Sequence, residues 1–161
     1  LLDIFLGCSS VIFNNDDSLR PLLMKGKRKM IKVAKGLKNF APKADLVVTS
    51  PYLRARETAE IITRVYSGVK VLEAAELVPA APPEAFLNWL HGLRTKYKTI
   101  VVVGHEPQMS LFASHCLAGE GESFIDLKKS GAICLSIDTL AHLSARTAHL
   151  RWVITPKMFG N

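Results

Sequence analysis

Two short segments carry the side chains best suited to chemistry: Ser50-Pro51-Tyr52-Leu53-Arg54-Ala55-Arg56-Glu57-Thr58-Ala59, and Val103-Gly104-His105-Glu106-Pro107 roughly fifty residues later. Each places one cationic or proton-bearing group where an apolar strand gives way to a loop or helix. Arg54 falls at the start of a helix, whose free N–H groups and positive dipole end attract anions. Its guanidinium is a planar fork of donors matched to phosphate oxygens, which a lysine would not reproduce. His105 follows an apolar run, with Gly104 allowing a sharp turn and Pro107 opening the next helix. Taken singly, such an arginine is most often surface decoration and such a histidine structural. Taken together they could grip a phosphoryl group from two sides. Arg56 points elsewhere on its helix, to solvent or to Glu60 at i+4. Thr58 and Ala59 are expected to pack the helix on a sheet, and His91, His115, His142 and His149 lack any comparable context.

The elements that must position these groups alternate along the chain. Residues 1–6 form a short apolar run stopped by Gly7 and small polar residues, as a buried strand would. From Pro21 the spacing turns helical, with Met30, Val33, Ala34 and Leu37 on one face and lysines on the other, up to about Phe40. Residues 44–50 read as a second core strand closed by Pro51. A helix follows over 54–66, a short strand over 69–72, and a proline-broken loop over 73–83. The spacing then predicts a helix over 84–97, a buried strand over 99–103 and a helix over 108–117. Two closing strands, 131–137 and 149–155, flank a connection over 138–148 whose type stays open. This alternation predicts one α/β domain spanning 1–161, a three-layer sandwich with a mostly parallel sheet, helices on both faces and an antiparallel edge. Ligands of such sheets gather outside the carboxyl ends of the strands. Ser9 and Ser10, Ser50 to Arg54, and Gly104-His105 all come directly after strands, so three strand ends point at one site.

The tract S-P-Y-L-R-A-R-E-T-A closely matches the Ser-Pro-x-x-Arg-Ala-x-x-Thr-Ala signature of the histidine phosphatase superfamily, and G-H-E-P resembles that family's second histidine motif. Arg20-Pro21-Leu22 resembles the Arg-Pro-Leu-Thr of its SixA-like phosphohistidine phosphatase branch, with Leu23 in place of the threonine. Leu127-Lys128-Lys129-Ser130-Gly131 and Trp152-Val153-Ile154-Thr155-Pro156 resemble the closing strands, so the likeness runs from about residue 19 to 156. It implies a phosphoglycerate mutase-like fold and a reaction in which a histidine attacks phosphorus, forms a covalent phosphohistidine and is freed by water. Arg54 and His105 would then bind the phosphoryl oxygens, with Arg20 at the pocket mouth or capping the connection. No metal or organic cofactor is implied. The partner would be a phosphorylated signalling protein.

One element of that site is missing. Aligning Asp3-Ile4-Phe5-Leu6 with the family's first strand puts Cys8 where an arginine belongs and Ser9 where the nucleophilic histidine belongs. A serine needs a neighbouring base, and a cysteine phosphatase would cradle phosphate in a Cys-x5-Arg loop, whereas residue 14 is Asn14. The resemblance therefore implies a phosphohistidine phosphatase that is inactive or crippled as written, or a noncatalytic phosphoprotein-binding module. The abnormal tract is short and lies upstream of intact motifs, which also fits a damaged reading frame. A small-molecule phosphomonoesterase, the third reading, needs a general acid, for which Glu76 in the 73–84 loop is the nearest carboxylate.

Composition narrows the setting. The 161 residues are 48% hydrophobic and 22% charged, enough for one full core. No apolar run approaches a membrane span. The three cysteines, Cys8, Cys116 and Cys134, are odd in number and form no CxxC pair, which fits a reducing cytoplasm without disulfides or zinc. The net charge of +7 is concentrated between Lys25 and Lys38. With no interleaved aromatics, this reads as a solvated helix face rather than a nucleic-acid surface. The chain opens Leu1-Leu2 without an initiator methionine, which suggests a fragment or a trimmed form.

Overall fold

The central strands of this fold are short and apolar, β2 and β4 being rich in valine, and six strands pair into one mixed sheet. The computed structural model describes residues 2–8, 17–93, 97–119 and 121–160. The strands are β1 (Leu2–Cys8), β2 (Leu46–Thr49), β3 (Val71–Glu73), β4 (Thr99–Gly104), β5 (Ala132–Ile137) and β6 (His149–Ile154), in the spatial order β3-β2-β4-β1-β5-β6. The first four run parallel and the last two antiparallel, as the alternation predicted. Four helices, α1 (Met24–Phe40), α2 (Leu53–Val65), α3 (Pro83–His91) and α4 (Gln108–Ala118), cover the sheet.

Side-chain alternation along the strands divides the core in two. Val47, Val101, Val103 and Phe5 face one side, where Val33, Leu37, Ala55 and Ile62 of α1 and α2 meet them. Leu46, Val48, Ile100, Val102 and Ile4 face the other, under Phe86 and Leu90 of α3 and Met109 and Phe112 of α4. Burying each large aliphatic or aromatic side chain favours folding by about 1.5–3 kcal/mol, so both faces hold the helices firmly.

Register matters most for the site. β1 and β4 pair with Cys8 opposite Gly104, and β2 and β4 pair with Thr49 opposite Val103. The carboxyl ends of three neighbouring strands are therefore level, and Ser50 and His105 leave the sheet side by side.

Some expectations need correction. The third helix stops at His91 rather than near Tyr97: Gly92, a poor helix former, closes the last turn with its N–H on the Asn88 and Trp89 carbonyls. The connection after β5 is neither a full helix nor a plain loop, for it holds a single 3-10 turn at Leu140–His142. Within the loop over 73–83 a second such turn forms at Ala75–Leu77, driven by burial of Leu77. Arg56 pairs with Glu73 on β3 at 3.4 Å, while Glu60 pairs with Arg64 at 3.7 Å.

Gly36 lies inside α1 because Phe159 packs directly on it; a Cβ there would sit 2.2 Å from the ring. Among the described residues no helix is long and apolar enough to cross a membrane. Cys116 and Cys134 are buried free thiols, and burial pushes both up to about 12. For Cys8 only the backbone is described.

Candidate active site

Ser50 directly follows β2, and Pro51 leads the chain out of the sheet before α2 begins at Leu53. The Ser50 hydroxyl accepts the Tyr52 N–H at 3.3 Å, which helps set the angle at which the helix departs. Arg54, in the first turn of α2, is thereby turned inward; it is 2% exposed, and Ser50 and His105 are fully buried. Across the gap, the α4 entry is fastened by Glu106, whose carboxylate accepts the Ser110 N–H at 3.2 Å and the Ser110 hydroxyl. Burial raises the Glu106 pKa above its ordinary value, against those two hydrogen bonds.

These two constraints bring the sequence-predicted pair into direct contact. Arg54 Nη2 lies 3.1 Å from His105 Nδ1, and His105 Nε2 lies 2.8 Å from Ser50 Oγ. A guanidinium can only donate, so Nδ1 accepts and the imidazole proton sits on Nε2, directed at Ser50. Burial, with the Arg54 charge beside it, lowers the His105 pKa to about 3, although Asp17 pulls the other way. His105 is thus a neutral donor with its lone pair engaged. The Tyr52 ring walls the pair, with its centroid 5.1 Å from that of His105 and 5.3 Å from Arg54 Cζ, within cation–π range.

Asp17 completes the cluster and was not foreseen. Arg54 donates from Nη1 to the Asp17 carbonyl and from Nη2 to Asp17 Oδ2, both at 2.8 Å. The other carboxylate oxygen lies 4.0 Å from Arg20 Nη1, so Asp17 stands between the two arginines. Arg20 and Arg54 line one groove of about 190 Å³ with Lys25, Lys29 and Lys129. Of the Arg54 donors, Nε is buried without a partner among the described residues.

Other sequence candidates fall differently. Cys8 ends β1 next to Gly104 in register, and Ser9 lies outside the described residues. The Glu76 carboxylate forms no hydrogen bond with Arg54 or His105; its carbonyl instead accepts Gln108 Nε2 at 2.5 Å, and the Ala81 carbonyl accepts the same amide at 3.2 Å. Gln108 thereby straps the loop carrying Glu76 to the residues just after the G-H-E-P turn. Nothing in its spacing marked it, since it looks like any polar residue at a helix start. Glu57 was also missed: it accepts the Leu22 N–H at 2.5 Å and Lys27 Nζ at 2.6 Å, tying α2 to the Arg20-Pro21-Leu22 tract. Burial opposes ionisation of Glu57, but those bonds and the Lys27 charge prevail and lower its pKa. Among the described residues no group of three or more His, Cys, Asp or Glu is placed to hold a metal ion.

Ser50, Arg54 and His105 meet at the level carboxyl ends of β1, β2 and β4, and known proteins share the scaffold that brings them together. The family model for the histidine phosphatase superfamily (branch 1) matches residues 16–78, which include Asp17, Ser50 and Arg54. An uncharacterized protein from a Picosynechococcus species is 32% identical over 141 residues, covering 87% of this chain and 85% of that protein. A candidate phosphohistidine phosphatase SixA from Nakamurella multipartitia superposes with a TM-score of 0.81 at 20% identity, covering 97% of this chain and 96% of that one. The protein histidine phosphatase SixA complexed with tungstate does so with a TM-score of 0.77 at 22% identity, over 96% and 97%. The chain belongs to the histidine phosphatase superfamily, branch 1, and its fold is SixA-like.

Proposed function

We propose that the chain is a SixA-type phosphohistidine phosphatase domain that recognises phosphorylated signalling proteins in the cytoplasm, with hydrolysis crippled because Ser9 replaces the nucleophilic histidine. The observation that carries this reading is the buried contact between Arg54 and His105 at the strand ends. A fixed guanidinium with one donor still unpartnered can stabilise charge on phosphoryl oxygens, and the neutral imidazole beside it can do so by exchanging its Nε2–H contact with Ser50 for the ligand. Both groups are donors. Neither is placed to attack phosphorus, because the lone pair on His105 Nδ1 is already taken by Arg54. The same engagement keeps His105 from serving as the base that a serine nucleophile would require.

This division of labour also suits a noncatalytic phosphoprotein-binding module, which would need only the oxygen-holding half. A phosphoryl-nitrogen bond needs less acid assistance than an alkyl phosphate, and this favours phosphohistidine over a small phosphomonoester, for which Glu76 would have to act as acid. The reading treats residues 1–161 as one domain, supported by a sheet whose strands come from both ends of the chain.

Binding and turnover are tested separately. Phosphate or tungstate should raise the melting temperature of the wild-type protein and not that of Arg54→Ala. Hydrolysis of a phosphohistidine peptide should stay near background and rise by orders of magnitude in the Cys8→Arg, Ser9→His double variant, since loss of a nucleophile can cost on the order of 10⁶ in turnover. Robust wild-type hydrolysis would sink the crippled-enzyme reading. Absence of any anion-dependent stabilisation would sink the site itself.

A further inference from the structure

Beyond the oxyanion corner, the surface beside it has one sign of charge. The groove containing Arg20 and Arg54 continues into a second hollow of about 460 Å³ lined by Lys25, Arg28, Lys29, Lys32 and Lys157, with Lys25 and Lys29 shared by both. Among the described residues that line the two hollows there is no aspartate or glutamate. Lys25, Arg28, Lys29 and Lys157 are exposed and form no ion pair among the described residues. Lys25 is also badly placed for the helix that bears it. The first turn of α1 has no acidic residue and no side-chain cap, and a cation at that end opposes the helix dipole. Leu23, 68% exposed, lines the first hollow, and the exposed Leu19, Met24 and Met158 adjoin lining residues in the chain.

We propose that this trough along α1 is a docking surface for an acidic, amphipathic face of a protein partner, leading the phosphorylated residue of that partner to Arg54. The proposal rests on the phosphoprotein reading of the Arg54–His105 site and specifies which surface of the chain selects the partner. Charge complementarity names the partner's chemistry: carboxylates opposite Lys25, Arg28, Lys29 and Lys157, with aliphatic groups opposite Leu23 and Met24. Complementary charges across a protein interface chiefly raise the on-rate and set register, which is the part this cationic trough would play. Single-stranded nucleic acid is disfavoured because no aromatic residue lines either hollow for base stacking. A membrane surface is disfavoured because the apolar face of α1, Met30, Val33, Ala34 and Leu37, is already buried on the sheet and cannot insert.

The probes are two unphosphorylated, helix-forming 20-residue peptides of equal hydrophobicity, one with a glutamate face and one with a lysine face. A 20-base-pair DNA duplex and phosphatidylserine vesicles accompany them, all measured against the full chain. The glutamate peptide should bind at least tenfold tighter than the lysine peptide, weaken steeply with salt, and lose at least tenfold in Lys25→Glu, Arg28→Glu, Lys29→Glu. In Arg28→Glu, Lys157→Glu, whose side chains line only the second hollow, the glutamate peptide should also weaken severalfold while tungstate binds within about threefold of wild type, which keeps this test apart from that of the Arg54–His105 site. Equal affinity for the two peptides, or an unchanged triple variant, overturns the docking surface. Tighter binding of the duplex or vesicles than of the glutamate peptide, lost in the same variant, overturns the choice of a protein partner. To exclude misfolding, Lys25→Gln, Arg28→Gln, Lys29→Gln should melt within a few degrees of wild type and show an intermediate loss.

Discussion

Arg54 Nη2 donates to His105 Nδ1 across 3.1 Å, a contact that joins the start of α2 to the end of β4 and can form only while the imidazole is neutral. Its chemistry fixes the tautomer, and the tautomer fixes what His105 can do. A histidine whose Nδ1 lone pair faces a guanidinium has no free lone pair with which to attack phosphorus.

Acid should weaken the fold through this contact. The folded pKa of His105 is depressed to about 3, whereas an unfolded histidine titrates near its ordinary value, so the unfolded chain binds the extra proton between those two values. The contribution is present in full above about pH 6.5 and is lost as pH falls toward 3, at up to about 1.4 kcal/mol per unit. Urea unfolding at pH 7 and pH 5 should show this loss in the wild type and a clearly smaller one in His105→Gln. Parallel losses in both proteins would mean that His105 is not the titrating group.

Arg54→Lys should retain a charge yet bind tungstate roughly 10- to 100-fold more weakly, because an ammonium cannot keep both the Asp17 and His105 bonds while offering a further donor. Calorimetric titration reads this directly. Equal affinities would indicate that the anion does not meet the guanidinium.

Asp17→Asn should act in the opposite direction. The Asp17 carboxylate presents negative charge at the mouth where an oxyanion must enter, bonded to Arg54 and 4.0 Å from Arg20. Its neutral isostere keeps an acceptor for Arg54 and removes the repulsion, so tungstate affinity should rise severalfold, most visibly at low salt. Weaker binding in Asp17→Asn would show instead that the carboxylate is needed to hold Arg54 in place.

Gly36→Ala would ordinarily favour a helix by about 0.5–1 kcal/mol. Here the added carbon meets three atoms of the Phe159 ring within 2.7 Å, one of them the fixed Cγ. Net destabilisation of roughly 1–2 kcal/mol is expected, with most of it recovered in Gly36→Ala combined with Phe159→Leu. Chemical denaturation of the three variants provides the check.

Much of the architecture could be read from the chain because it is written in local patterns. The unbroken, β-branched apolar runs Leu46-Val47-Val48 and Ile100-Val101-Val102-Val103 mark strands buried on both faces, and the three- and four-residue spacing of Met30, Val33, Ala34 and Leu37 follows from helix geometry. The turn after Ser50-Pro51 and the one at Gly104 are likewise local. The helix ending at His91 was misjudged because apolar spacing continues past Gly92, and only the weak helical preference of that glycine marks the boundary.

From residue types and spacing alone, the chain determined that an arginine and a histidine stand at strand ends; that Cys8 and Ser9 fall where attack should arise is implied only by the likeness to the histidine phosphatase superfamily. Tertiary structure decided their states. The parallel pairing of β1, β2 and β4 brings residues separated by a third of the chain to within hydrogen-bond distance, and burial then sets charge and tautomer, which depend on surroundings rather than on residue type. For the same reason Asp17, Gln108 and Glu57 could not be picked out by spacing: each acts through a partner more than thirty residues away. No local pattern records a contact of that range.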